Sequence, residues 1–333
     1  MALYSNIQAL TNALDIAMER DKTIVTYGED VGFAGGVFRA TRGLQKKYGE
    51  NRCFDAPIAE ASLVGIAAGM AFNGLRPIVE LQFQGFAYPA FQQLFCHIAR
   101  FRNRTRGRFT CPMVIRMPVN LWGLKGLEHH SEAIEAMFAH VPGFKVVIPA
   151  KPSDVKGLML AAVECDDPVI FLEPLRNYYT PKEEVADGHY TIEIGKAKQI
   201  TKWETSDNPD LTIVTYGPLV YDCEAAVAKL QQEGMKIELI DLMTIHPWDE
   251  ATVVASVKKT GRILVVHEAV KSFSVSSEII TTINEKCFEY LQCPPARLTG
   301  YDVTVPLYQG EHWFKITEKR IIDKVKTMMT YLA

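Results

Sequence analysis

The chain has 333 residues, a length typical of two globular domains, each large enough for its own hydrophobic core. Hydrophobic residues make up 48% and charged residues 23%, and the net charge is -3 without a basic block, which argues against a nucleic-acid surface. No apolar run approaches the roughly 18 residues that a membrane span needs. The start lacks signal-peptide and transit-peptide character, and the seven scattered cysteines fit reduced thiols, so we expect a cytoplasmic protein.

Strands and helices alternate through the first half of the chain. Ser5 and Gln8 form a capping-box pattern at the start of a helix over 5–20. The patterns that follow predict strands over 23–27, 77–81, 113–116, 145–148 and 168–172, and helices over 41–48, 60–73, 89–100 and 153–164. Residues 119–132 carry few such signals and predict a long loop, and long loops often carry function. The alternation itself predicts an α/β fold with a mainly parallel sheet covered on both faces.

A polar, irregular stretch over 173–210 predicts the boundary between two domains. We assign 1–185 to the first domain, 186–210 to a linker and 211–333 to the second domain. The second domain repeats the alternation, with strands predicted over 211–216, 236–240, 262–266 and 296–299 and helices over 219–232, 248–257, 274–291 and 317–331. His267 and Glu268 end a buried strand, where such sheets usually place sites. A structural or interface role suits them equally well.

The stretch 54–88 contains a helix composed almost entirely of small and apolar residues. The segment 55–57, Asp-Ala-Pro, breaks the preceding element, and Gly74 follows the end of the helix. Its one charged residue is Glu60, so we expect the helix to be packed on nearly all sides. From the residues alone, the helix dipole explains a carboxylate at this end. The alternative is a buried glutamate that transfers protons.

His129 and His130 are the adjacent histidines of the predicted loop. Their spacing is not that of a metal site on a helix, so a metal is disfavoured, whereas one of them suits proton donation. Neither G-x-G-x-x-G nor G-x-x-x-x-G-K-[ST] occurs in the chain, which argues against a nucleotide-dependent oxidoreductase.

Collinear motifs over essentially the whole chain resemble one family. They include GEDV, FRATRGLQKKYG, DAPIAE, GIAAGMAFNGLRPIVE, HHSEAIEAMFAHVPGFKVVIP, DDPVIFLEP, ELIDLMTIHPWD, KTGRILVVHEA and GYDVTVP. The chain resembles the β chain of the thiamine-diphosphate-dependent, decarboxylating component of 2-oxo acid dehydrogenase complexes. GGVFR, PAFQQL, FAHVPG and TIHPWD look more similar to the branched-chain type than to the pyruvate type. The resemblance implies an α/β pyrimidine-binding domain followed by a transketolase C-terminal-like domain, both with mainly parallel sheets.

The resemblance also implies roles for individual residues. Glu60 matches the glutamate that hydrogen-bonds the N1′ atom of the aminopyrimidine and so promotes deprotonation of the thiazolium carbon. Phe86 matches the aromatic residue that packs against the aminopyrimidine, and Gln82 matches a neighbouring pocket position. His130 matches a histidine that stabilises the reacting intermediate or donates a proton during acyl transfer to lipoamide. Glu29 is expected near the cofactor pocket or a subunit contact.

Metal sites and partners follow from the same resemblance. Members can bind potassium through backbone carbonyls, here expected at Val114, Ala162, Cys165 and Asp167. Magnesium, which holds the diphosphate, normally needs a G-D-G segment and a later asparagine. The chain has no G-D-G, so a separate α chain is expected to hold the magnesium. We expect a heterotetramer of two α and two β chains, with the helices over 60–73 paired, and docking of the second domain on the lipoyl acyltransferase core.

The expected function is oxidative decarboxylation of a branched-chain 2-oxo acid, with transfer of the acyl group to the lipoyl group of the acyltransferase. Pyruvate or acetoin is the alternative substrate, because the missing chain also contributes pocket residues. A catalytically silent scaffold of the same fold is the alternative from another class. The presence of both Glu60 and His130 argues against a scaffold.

Overall fold

The structure, a computed structural model, describes residues 1–123, 126, 128–179, 181–306 and 309–331. It divides into two compact units, Met1–Asn120 with His129–Ile194 and Leu121–Glu128 with Gly195–Ala333. The chain passes from one unit to the other between Ile194 and Gly195, inside the stretch predicted as the linker. Residues 124, 125 and 127 of the predicted loop lie outside the described residues.

A parallel sheet forms the centre of the first unit. The strands of this unit are β1 (Ala2–Tyr4), β2 (Ile24–Gly28), β3 (Cys53–Asp55), β4 (Arg76–Glu80), β5 (Val114–Val119), β6 (Lys145–Val147), β7 (Val169–Pro174) and β8 (Glu183–Val185). Six of them follow the order β6-β7-β5-β4-β2-β3 with parallel neighbours, and β1 pairs with β8 in a separate antiparallel ribbon. Strands β2, β5 and β7 are buried along their whole length, which explains their continuous apolar sequences.

The helices of the first unit cover this sheet. They are α1 (Asn6–Arg20), α2 (Leu44–Tyr48), α3 (Glu60–Phe72), α4 (Phe101–Arg104), α5 (Glu135–His140) and α6 (Pro152–Glu164). The predicted capping contact of α1 is present, because the backbone N–H of Ser5 donates to Oε1 of Gln8 at 3.0 Å. Helices α1 and α6 pack against each other. The α/β class and the mainly parallel sheet are confirmed.

The helix predicted over 89–100 is present as helical structure, but not as one regular α-helix. The chain forms a 3-10 helical turn over Gln84–Ala90, then a π-helical segment over Gln92–Ile98, and only then the short α4. Phe91 and Phe95 stack at 4.5 Å between ring centroids, so the side-chain spacing that suggested a helix is real. The spacing does not reveal which carbonyl each N–H contacts, and that hydrogen-bond register distinguishes the three helix types.

Within this chain, α3 is packed on one side only. One side buries Leu63, Val64 and Ala67, whereas Ile66 is 53% and Phe72 is 48% exposed. A uniformly apolar helix sequence indicates that all sides of the helix are buried. It does not indicate whether the same chain or a partner chain buries them. The exposed side is an apolar surface with room for a partner.

The second unit has its own sheet, with the order β14-β13-β10-β11-β9. The strands of this unit are β9 (Lys198–Thr201), β10 (Leu211–Thr215), β11 (Ile237–Asp241), β12 (Thr244–His246), β13 (Ile263–Val266) and β14 (Ala296–Leu298). Its helices are α7 (Val220–Gln232), α8 (Glu250–Thr260), α9 (Val275–Cys287), α10 (Glu311–Phe314) and α11 (Glu318–Met329). The central strands are parallel, and β9 joins β11 antiparallel.

Strand β9 corrects the prediction that 186–210 is an irregular linker. It is an edge strand whose residues are only half-buried, so it lacks the apolar run by which the buried strands were recognised. None of the described helices is long and apolar enough to cross a membrane.

Candidate active site

Glu29 lies close to two further glutamates, Glu60 and Glu80, at the carboxyl end of the first unit's sheet. Glu29 follows β2, Glu80 ends β4 and Glu60 begins α3. Strands β2 and β4 touch so closely that a Cβ on Gly28 would lie 2.7 Å from the carbonyl oxygen of Glu80. Burial raises the pKa of Glu29, and the charges of Glu60, Asp30 and Glu80 raise it further. Glu29 and Glu60 are therefore within electrostatic reach of each other.

The first turn of α3 is held by a hydrogen bond from β2, and its N-terminus has no side-chain cap. The buried hydroxyl of Tyr27 donates to the carbonyl oxygen of Leu63 at 2.5 Å, which fixes the first turn of the helix against β2. The residue before the helix is Ala59, which has no side-chain oxygen to cap the helix N–H groups. Glu60 is half-buried at this end. The helix also packs against the Gln84–Ala90 turn.

Phe83, Phe86 and His130 form an aromatic cluster beside that turn. The ring of His130 lies 4.6 Å from the ring of Phe83 and 5.1 Å from that of Phe86, both edge to face. Phe83 and Phe86 also contact each other at 5.4 Å. Gln82 is half-buried immediately before the cluster. The structure thus brings Phe86 and His130 into contact, although 44 positions separate them in the chain.

A buried ionic cluster lies behind the glutamates, and the sequence analysis missed it. Arg116 on β5 has a fully buried side chain and donates to both carboxylate oxygens of Glu173, at 2.6 and 2.9 Å, and to Glu80 at 2.7 Å. The hydroxyl of Tyr178 also donates to Glu173. Burial alone would lower the pKa of Arg116, but Glu173 and Glu80 raise it well above its ordinary value. The available signal was a charged residue inside or at the end of an otherwise largely apolar strand, namely Arg116 in β5, Glu173 in β7 and Glu80 at the end of β4.

Two of the four backbone carbonyls predicted for potassium, those of Ala162 and Cys165, accept hydrogen bonds from the protein. The Cys165 carbonyl oxygen accepts from Nη1 of Arg76 at 3.1 Å, and the Ala162 carbonyl oxygen accepts the N–H of Cys165 at 3.3 Å. The Asp167 side chain pairs with Arg102 at 2.5 Å. Each carbonyl keeps a second lone pair, but two guanidinium groups already bring positive charge to this loop. The potassium site stays a prediction, and no chemistry is assigned to it.

A magnesium site built from side chains is not seen in the part of the chain that the structure describes. Across those residues, no group of three or more His, Cys, Asp or Glu side chains has an arrangement that holds a metal ion. The carboxylate and aromatic groups of the first unit suit a heteroaromatic ring with ring nitrogens, since they offer a proton acceptor and stacking surfaces.

Comparison with known proteins defines the class. Residues 4–181 match the family model "Transketolase, pyrimidine binding domain", and residues 202–321 match "Transketolase, C-terminal domain". A solved structure titled "Split gene transketolase, inactive beta4 tetramer" shares the fold with a TM-score of 0.80, at 20% identity, over 99% of both chains. The transketolase-like fold, with its pyrimidine and C-terminal domains, is confirmed.

Curated relatives narrow the class to one family. The chain is 52% identical over 325 residues to "Pyruvate dehydrogenase E1 component subunit beta" of Mycoplasma genitalium, covering 98% of both chains. A protein of the same name from Acholeplasma laidlawii is 53% identical over 94% of both chains. "2-oxoisovalerate dehydrogenase subunit beta" of Pseudomonas aeruginosa is 44% identical, over 92% of this chain and 90% of that one. The chain belongs to the E1 β subunits of the thiamine-diphosphate-dependent 2-oxo acid dehydrogenases.

These relatives do not support the branched-chain preference inferred from short motifs. The relatives at 52% and 53% identity carry the pyruvate name, and the branched-chain relative is more distant. The alternative with pyruvate is the better supported of the two.

Proposed function

We propose that this chain supplies the aminopyrimidine half of a thiamine-diphosphate site and, together with an α chain, oxidatively decarboxylates pyruvate. The acyl group then passes to the lipoyl group of an acyltransferase. The observation that carries the proposal is the arrangement around α3. This helix begins at Glu60 and packs against the turn that bears Phe86, and Phe86 contacts His130.

Glu60 is the proposed proton-handling residue. When bound, thiamine diphosphate supplies the electron sink for loss of carbon dioxide from a 2-oxo acid. The carboxylate of Glu60 would share a proton with the N1′ atom of the aminopyrimidine ring. Glu29 supports this role as a second carboxyl group close to Glu60, since the charge of Glu60 adds to the burial that raises the pKa of Glu29.

Phe86 and His130 form the proposed wall of the pocket. Phe86 is half-buried, so part of its surface remains for the aminopyrimidine, and the half-buried Gln82 lies just before the turn. The ring of His130 packs at steep interplanar angles against Phe83 and Phe86, which fixes its position beside them. We assign it proton donation during acyl transfer to the lipoyl group.

The other half of the site is assigned to the α chain. The diphosphate needs a divalent cation with oxygen ligands in a fixed geometry, and the described residues of this chain provide no such cluster. We therefore assign magnesium binding to the α chain and place the cofactor between the two chains. The second unit is proposed to dock on the acyltransferase core.

The exposed side of α3 supports a tetramer of two α and two β chains. Ser62, Ile66, Gly69 and Asn73 repeat along this side at helical spacing, and space around Gly69 is open, since a Cβ there would meet no atom within 4 Å. Small residues allow two helices to approach closely, so we propose that α3 pairs with α3 of a second β chain.

Reconstitution tests the proposal. Release of carbon dioxide from pyruvate and from 3-methyl-2-oxobutanoate is measured with thiamine diphosphate and magnesium, for each chain alone and for the mixture. We expect carbon dioxide release only when both chains are mixed, and more from pyruvate than from 3-methyl-2-oxobutanoate. Activity of this chain alone contradicts the shared site, and a preference for 3-methyl-2-oxobutanoate restores the branched-chain assignment.

A matched pair of variants tests the pocket wall in the same assay. Phe86→Leu is expected to raise the concentration of thiamine diphosphate needed for half-maximal activity, because a flat ring surface is lost. Phe109→Leu is the control, since Phe109 is exposed. Equal cofactor requirements in both variants would remove Phe86 from the site.

A further inference from the structure

The turn that carries His130 rests on the segment that follows β4. A Cβ on Gly85 would lie 2.2 Å from the carbonyl oxygen of His129 and 2.8 Å from Cγ of Glu132. Real side chains do not approach that closely, so the two segments touch only because residue 85 has no side chain. Next to it, the buried Oε1 of Gln84 accepts the backbone N–H of Ile134 at 2.9 Å.

Tyr88 and Glu132 form a second connection between the same two segments. The hydroxyl of Tyr88 donates to Oε2 of Glu132 at 3.2 Å. Oε1 of Glu132 lies 3.8 Å from Nδ1 of His129, and the rings of Tyr88 and His129 lie 6.1 Å apart. Burial raises the pKa of Tyr88 to about 12, and Glu132 contributes to the rise. The hydroxyl therefore keeps its proton and remains a donor.

His129 and His130 make different contacts. The backbone carbonyl of His129 lies against Gly85 and its ring lies near Glu132, whereas His130 packs against Phe86. Because the two residues are adjacent, contacts that fix the backbone of His129 also fix the position from which the His130 side chain projects. A hydrogen bond to a charged acceptor is among the stronger contacts that hold such a turn.

We propose that Tyr88 and Glu132 are positioning residues that hold the His129–His130 turn in place, so that His130 remains beside Phe86 during acyl transfer. This inference rests on the acyl-transfer role proposed above for His130. Loosening the turn slows proton donation to the lipoyl group. Decarboxylation depends on Glu60, which lies on a different element, and is affected less.

The first test compares two reactions of the assembled enzyme. Tyr88→Phe removes the hydroxyl, and Glu132→Gln keeps the size of the side chain but removes its charge. Tyr48→Phe is the matched control, because its hydroxyl also donates to a carboxylate, that of Asp15, at 2.7 Å. Acyl transfer to a lipoyl domain is expected to fall on the order of tenfold in the first two variants. Decarboxylation coupled to an artificial electron acceptor is expected to stay close to wild type.

The second test does not depend on activity. Backbone hydrogen exchange is followed in the peptide that spans 128–134, and it is expected to accelerate in Tyr88→Phe and Glu132→Gln but not in Tyr48→Phe. Unchanged exchange in both variants, or an equal fall in acyl transfer and decarboxylation, overturns the inference. A wild-type complex that does not decarboxylate contradicts the proposed function, and the exchange result then decides the positioning role by itself.

Discussion

Replacing Arg116 by methionine is expected to destabilise the first unit strongly. The arginine side chain is fully buried and makes three hydrogen bonds, two to Glu173 and one to Glu80. Methionine has a similar length but no charge, so two carboxylates lose their shared cation. Removing one partner of a buried ion pair costs about 3–5 kcal/mol, because the remaining charge is left uncompensated. We expect a loss of stability in that range at about pH 8.

The loss should depend on pH in a defined direction. Burial raises the pKa of Glu80 above its ordinary value of 4.5, and Arg116 opposes that rise. Without Arg116 the pKa in the folded state rises further, while the unfolded state keeps an ordinary value. A raised folded pKa favours the protonated acid, so its stabilising contribution is present at low pH and is lost as the pH rises through the folded pKa. The variant should therefore be closest to wild type in mild acid.

Urea unfolding of three proteins at about pH 5 and about pH 8 tests this reasoning. They are the wild type, Arg116→Met, and a triple variant that also carries Glu80→Leu and Glu173→Leu. Replacing a whole buried ionic cluster by apolar residues is often nearly neutral, so the triple variant should recover most of the lost stability. A cost below about 1 kcal/mol for Arg116→Met, or a triple variant as unstable as the single one, would refute the argument.

Three further outcomes are expected. Gly69→Glu should leave the fold intact but prevent assembly beyond one α and one β chain, measured by analytical ultracentrifugation; Ala225→Glu, on the exposed side of α7, is the control. Burial lowers the pKa of His267 to about 3, so its neutral form stabilises the fold above about pH 6.5. That contribution is lost as the pH falls, by about 1.4 kcal/mol per pH unit, and His267→Gln should flatten the acid side of the thermal-stability curve. Lys259→Met should cost about 3 kcal/mol in urea unfolding, because it removes the cation 2.5 Å from the fully buried Glu238; no change in stability would contradict this.

Much of the fold was predictable because buried parallel strands have continuous apolar sequences. Strands β2, β5 and β7 and the helices α3 and α6 were found within a few residues of their bounds. Short or half-buried elements such as β9 and α5 were missed. Their sequences show neither the apolar pattern of a buried strand nor the apolar spacing of a helix. The π-helical segment over Gln92–Ile98 was not predictable, because its hydrogen-bond register leaves no distinct trace in side-chain spacing.

The candidate site was predictable only where a motif identified a residue. Glu60 and His130 were assigned through the family resemblance, and their roles stay predictions. The Tyr88–Glu132 contact joins residues 44 positions apart, and neither residue lies in a pattern that predicts the contact. The choice of substrate could not be derived from this chain, because an α chain is proposed to line part of the same pocket.

The central claim is that Glu60 handles the proton of the aminopyrimidine ring. The most direct test is the rate at which the thiazolium carbon of bound thiamine diphosphate exchanges its proton for deuterium, measured by quenched-flow NMR on the assembled enzyme. Glu60→Gln should slow this exchange by about 10²–10⁴-fold, whereas Glu50→Gln, at an exposed position, should not change it. Exchange at the wild-type rate in Glu60→Gln would contradict the account.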